Sequence, residues 1–156
     1  CYQTRKKTHR VRSVESKHYE QNRYYKMRIG FTCGAFDLLH AGHIVMLKEA
    51  SENCDHLIVG LQTDPSIDRQ EKNQPCQSVY ERYIQLRAVK YVDEILPYDT
   101  EQSLLDLMQS TEIHLRFVGE DYIGGDFTGK GMHEIYYTDR QHSFSTTNLR
   151  NKAGLV

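Results

Sequence analysis

Two imidazoles, His40 and His43, stand three residues apart with Gly42 between them. They close the run Thr32-Cys33-Gly34-Ala35-Phe36-Asp37-Leu38-Leu39-His40-Ala41-Gly42-His43, which lies between an apolar strand-like stretch and a helix-like stretch. The histidines therefore fall at the mouth of a helix. A helix N-terminus carries unpaired N–H groups and the positive end of a macrodipole, so it attracts anions. Two imidazole donors added there point to a phosphate site rather than a metal site. Gly42 would let a ligand approach the backbone closely. Asp37 reads as a turn-former whose carboxylate accepts nearby main-chain N–H groups, in preference to a base or a metal ligand.

These residues need a scaffold, and the hydrophobic pattern supplies one. Strands are expected over residues 27–33, 56–62, 92–96, 115–118 and 135–138. The second of these, His56–Gln62, is an unbroken apolar run of the kind buried on both faces of a parallel sheet. Pro97 is expected to stop the third strand. Helices are expected over residues 42–52, 79–90 and 146–152, with another capped by Thr100 and carrying Leu104, Leu105, Leu107 and Met108. Residues 64–78, with Pro65 and Pro75, read as a long polar loop. Strand and helix alternate five times, the signature of a doubly wound α/β fold with a five-stranded, mostly parallel sheet and helices on both faces. In such sheets ligands bind beyond the carboxyl ends of the strands, at the switch point, and the first strand runs directly into the histidines.

At 156 residues, 38% hydrophobic and 26% charged, the chain has the composition of one soluble domain with a real core. Its net charge of −1 conceals an asymmetry. Residues 1–26 hold eight Lys/Arg against two Asp/Glu, and residues 27–156 hold twelve against nineteen. The first segment lacks Leu, Ile and Phe, so it reads as a solvated tail ahead of a single domain at 27–156, with Met27 as the natural start. A basic tract could bind nucleic acid or a membrane surface, but the solvated reading leaves no nucleic-acid partner. Four cysteines, far apart and without a C-x-x-C pair, argue against zinc and against a disulfide framework, and fit reduced thiols in a cytoplasmic protein. No apolar run approaches a membrane span. The segment Gly124–Gly131 contains G-x(4)-G-K, yet Gly131 stands where a P-loop needs Ser or Thr and no strand runs into it, so it reads as a surface loop.

The pattern G-x-F-D-x-x-H-x-G-H after a strand resembles the signature of the nucleotidyltransferase superfamily of cytidylyltransferases and small adenylyltransferases. Further motifs follow in order over about residues 27–150. Gly119-Glu120-Asp121-Tyr122 is similar to the family's G-[DE]-D-aromatic segment. Arg140-Gln141-His142-Ser143-Phe144-Ser145-Thr146-Thr147 resembles R-T-x-G-[IV]-S-T-T, with Gln141 and Ser143 as departures and His142 as an addition.

The resemblance implies transfer of CMP from CTP to a phosphorylated small alcohol, glycerol 3-phosphate foremost, with release of pyrophosphate. Its alternatives are adenylyl transfer to a flavin, pantetheine or heptose phosphate acceptor, and cytidylyl transfer to ethanolamine or choline phosphate. It implies His40, His43, Lys72 and Arg140 as catalytic residues. It implies Cys33, Gly34, Ala35, Phe36, Gly42, Arg82, Gly119, Glu120, Asp121, Ser145, Thr146 and Thr147 around the nucleotide. Arg82 would hold phosphate or anchor the loop to a carboxylate. Mg2+ would enter on the triphosphate, with no protein metal site, and the protein would be a homodimer.

Overall fold

His56–Gln62 folds as the strand its apolar run predicts, with every residue after His56 buried. It alternates its side chains between two cores. Leu57, Val59 and Leu61 pack to one face, and Ile58 packs to the other. The computed structural model describes residues 26–154, so the expected basic tail lies outside the described residues except for Lys26.

The strands are β1 (Ile29–Gly34), β2 (His56–Gln62), β3 (Glu94–Tyr98), β4 (Leu115–Gly119) and β5 (Glu134–Thr138). The helices are α1 (Ala41–Glu52), α2 (Val79–Arg87), α3 (Glu101–Ser110) and α4 (Thr146–Ala153). All four strand pairings are parallel, in the order β3-β2-β1-β4-β5. Leu47 and Ala50 of α1 and Leu86 of α2 meet Leu57, Val59 and Phe117 on one face of the sheet. Leu104 and Met108 of α3 meet Phe31, Ile58 and Tyr98 on the other. Each fully buried Leu or Phe contributes roughly 1.5–3 kcal/mol, so this two-sided burial is what fixes the sheet. The doubly wound architecture is the one the alternating pattern predicts. Its strand order reverses between β1 and β4, which places the switch point at the end of β1.

One local expectation is corrected. Pro97 does not stop β3 but lies within it, paired with Leu61. β3 is an edge strand, where a residue without an N–H is tolerated. In α2 Arg82 and Leu86 are buried, while Val79 and Tyr83 are exposed.

Thr100 caps α3 as expected, its hydroxyl accepting from the Ser103 N–H. Among the described residues, Cys33, Cys54 and Cys76 are free thiols. No helix there is long and apolar enough to cross a membrane.

Candidate active site

His40 is the N-cap of α1, with its backbone extended at φ −134°. Its Nδ1 accepts the Gly42 N–H at 3.0 Å, and His43 Nδ1 accepts the His40 N–H at 3.4 Å. Each imidazole thus spends Nδ1 as an acceptor. A neutral ring then carries its proton on Nε2, which becomes a donor. The rings stack at 3.9 Å between centroids, 27° from parallel, with Phe36 behind His43 at 5.2 Å. His40 Nε2 lies 3.3 Å from the Thr146 hydroxyl at the start of α4. Burial pushes the His43 imidazole down to about 3, assisted by the neighbouring His40 and Arg140. Burial also lowers His40, with His142 and Arg140 adding to the effect.

These shifts fix a sign for stability. Above about pH 6.5 His43 is neutral in both folded and unfolded chains, and the folded state keeps its full margin. As pH falls from 6.5 toward about 3 the unfolded chain takes up a proton that the folded chain refuses, so stability is lost. One such proton is worth about 1.4 kcal/mol per pH unit. Asn keeps an acceptor in the place of Nδ1 and does not titrate. Denaturant melts from about pH 6 to 4 should therefore show His43→Asn losing less stability per pH unit than the wild type. Parallel curves would contradict a neutral buried His43.

Asp37 does more than turn the chain. Its carboxylate accepts from the distant Cys76 and Gln77 N–H groups at 2.9 and 3.0 Å and from Arg150 at 2.8 Å. Burial pushes its pKa up, but these three donors outweigh burial and hold the carboxyl below its usual range. The flanking Phe36 and Leu38 are left-handed, at φ 50° and 49°. Each costs about 1–2 kcal/mol, offset by the buried Phe36 ring and by the Leu38 N–H donated to Gln77. Asp37 thus ties the histidine turn to the loop before α2 and to α4. Arg150, its partner in α4, has no signal in sequence, because its contact spans more than a hundred residues.

A cavity of about 740 Å3 opens over the carboxyl ends of the strands. His40, Gly42, His43, Lys72, Arg140, Ser145 and Thr146 line it, with Cys33, Gly34, Ala35 and Gly119. Arg140 is ion-paired with Asp121, and its N–H donates to Glu120 at 2.9 Å. Glu120 and Asp121, expected around the nucleotide, lie outside the lining and hold Arg140 instead. Ser145 caps α4 through the Asn148 N–H. Thr147 is exposed and outside the lining. His142 lines the cavity, stacked on Phe144, with both ring nitrogens buried and unpartnered among the described residues.

Three expectations need correction. Arg82, expected at phosphate, is 1% exposed and donates to the carbonyls of Ala35, Gln62, Thr63 and Gln77. Arg82 is not among the residues that line the cavity. Phe36 is a core residue, not a cavity wall. The space above Gly42 is not open to a ligand, since a Cβ there would meet His40 at 2.9 Å and His142 at 3.0 Å. The glycine makes room for the two rings.

Sequence reasoning missed Arg116, Arg69, Tyr98 and Glu101 in the cavity wall. An arginine inside an apolar strand was the available signal for Arg116, because arginine is rarely buried without a partner.

A wholly parallel sheet with a switch-point cavity holding a stacked histidine pair defines an α/β nucleotidyltransferase fold. Comparison with known proteins agrees. The chain belongs to the cytidylyltransferase-like family, whose model matches residues 31–152. It is 34% identical over 134 residues to the bifunctional protein HldE of Nitrobacter hamburgensis, covering 82% of this chain and 27% of that protein. It is 35% identical over 124 residues to HldE of Campylobacter fetus, covering 78% and 27%. The chain therefore spans about a quarter of the length of these curated relatives.

Among solved structures it is similar in fold to a lipopolysaccharide core biosynthesis protein from Thermoplasma volcanium. The TM-score is 0.55 at 21% identity, covering 83% of this chain and 88% of that one. It is also similar to pantoate-beta-alanine ligase from Francisella tularensis, with TM-score 0.55 and 21% identity, covering 88% and 70%.

Proposed function

We propose that this protein transfers a nucleoside monophosphate from a nucleoside triphosphate to the phosphate of a small acceptor. The observation that carries this is the stacked His40–His43 pair, with Nε2 donors at the mouth of α1 in a cavity that also holds Arg140 and Lys72.

An acceptor phosphate oxygen attacks the α-phosphorus in line. The new P–O bond forms as the bond to the β-phosphate oxygen breaks, and pyrophosphate leaves. The acceptor is already ionised, so no protein nucleophile or base is required. Catalysis reduces to positioning and charge stabilisation. His40 and His43 donate to the α-phosphate and the bridging oxygen. Arg140, Lys72 and the Ser145–Thr146 end of α4 hold the leaving pyrophosphate. The donor enters as its magnesium complex, as nucleotides commonly do with few protein ligands.

On this reading Arg140→Ala weakens CTP or ATP binding by about tenfold or more, the scale of a charged hydrogen bond. Lys72→Ala weakens it less, because Lys72 is exposed and screened. Calorimetric titration checks both, and unchanged affinity in both variants would remove them from the donor site.

CTP with glycerol 3-phosphate is the first pairing, from the S-T-T ending and the order of the motifs. ATP with a sugar phosphate is the second, kept because the two relatives named above are HldE proteins. Pyrophosphate release, with each nucleotide offered against each acceptor, separates them. Release with one pairing assigns the substrate. Release with none would refute nucleotidyl transfer to these acceptors. The homodimer carried by the resemblance is checked by sedimentation.

A further inference from the structure

The cavity lining also holds Arg116, a cation to which the proposed donor contacts assign no role. Arg116 of β4 is 4% exposed yet lines the cavity. It is in register with Phe31 of β1, whose ring packs with Leu104 and Met108, so it belongs to the α3 face of the sheet. Its guanidinium lies 5.0 Å over the Phe127 ring. One Nη donates to the Thr128 carbonyl, and the other sits 3.8 Å from Cys33 Sγ. Its Nε is buried with no partner among the described residues. Among those residues no carboxylate lies within 4.0 Å of it. The nearby Glu101 is engaged by Arg69 at 2.8 Å and by the Thr128 hydroxyl.

A buried guanidinium without a counter-anion is costly, and the cavity is the direction from which an anion can reach it. His40 and His43 open α1, which packs on the other face of the sheet. In-line transfer needs nucleophile and leaving group on opposite sides of the phosphorus.

We propose that Arg116, stacked on Phe127 beside Cys33, binds the phosphate of the acceptor. This rests on the nucleotidyl-transfer reading and adds the acceptor's binding site to it. Arg116 holds the non-attacking oxygens, neutralises part of their charge and leaves the third oxygen to face the α-phosphorus. The planar fork suits this task because it grips two oxygens at once.

The test is calorimetric titration of inorganic phosphate, glycerol 3-phosphate and CTP into the full chain. Arg116→Met should weaken both phosphates by about tenfold or more, the scale of a charged hydrogen bond, and change CTP affinity by less than about threefold. Arg116→Lys, which keeps the charge, should recover part of the loss. Equal phosphate affinity in wild type and Arg116→Met overturns the proposal, as does an equal loss of CTP affinity, which would move Arg116 to the donor.

A second measurement needs no variant. Inorganic phosphate should slow alkylation of Cys33 in the wild-type protein, read by peptide mass, because the bound anion lies against its sulfur. Absence of protection overturns the assignment. Arg116-dependent phosphate binding without pyrophosphate release from any pairing would uphold the anion site and refute the transferase reading alone.

Discussion

His43→Ala is expected to lower kcat by about a hundredfold or more while leaving the protein folded, the scale of losing one donor aimed at developing charge. Three features make His43 the more sensitive member of the pair. Its ring is clamped between His40 and Phe36. Its Nδ1 is occupied by the His40 N–H, so Nε2 is the donor without any rearrangement. Burial keeps it neutral to about pH 3, so the proton it offers is not competing with titration near neutrality. A phosphate dianion brought into the cavity will raise that pKa, because opposite charge favours the imidazolium. Charge building on the bridging oxygen then strengthens the same hydrogen bond. Single-turnover measurement of pyrophosphate release reads this directly. A variant with near-normal kcat would refute the role assigned to His43, and with it the mechanism.

Arg82→Ala should act in the opposite way, on stability before activity. The guanidinium joins carbonyls at the end of β2, after β1 and before α2. Its removal leaves buried acceptors without donors, at about 1–3 kcal/mol each, and a cavity where a long side chain had been. A loss of about 3 kcal/mol or more is a large share of a margin that is typically 5–15 kcal/mol. Denaturant unfolding should therefore show a much lower midpoint. Nucleotide affinity, measured where the variant is still folded, should stay near the wild-type value. Full stability with lost nucleotide binding would restore the phosphate role implied by the resemblance. Lys should not substitute here, since one ammonium cannot span carbonyls on three segments.

Much of the fold was legible because it is written in short-range periods. The apolar run His56–Gln62 is a strand wherever it is buried on both faces, and it appears with the predicted bounds. Thr100 caps α3 because a hydroxyl three residues before a free N–H needs no tertiary partner. The histidine pair was legible for the same reason, since its geometry is a capping turn made entirely within residues 40–43.

The errors fall where one side chain meets a segment far away. Arg82 follows Glu81 in the first turn of α2, a place where arginine is normally solvated. It is buried because the end of β2 and the turn after β1 happen to converge on it. Glu120 and Asp121 turned from the nucleotide to Arg140, and Asp37 from a local turn to a clamp on Cys76, Gln77 and Arg150. By itself the sequence determined the alternating α/β order, the helix mouth that favours an anion and the two imidazoles placed there, all from contacts within a few residues. Only the tertiary structure decided which arginines are structural and which face the cavity. A guanidinium is long, always charged and satisfied by any carbonyl or carboxylate it can reach, so its role depends on what the fold brings within that reach.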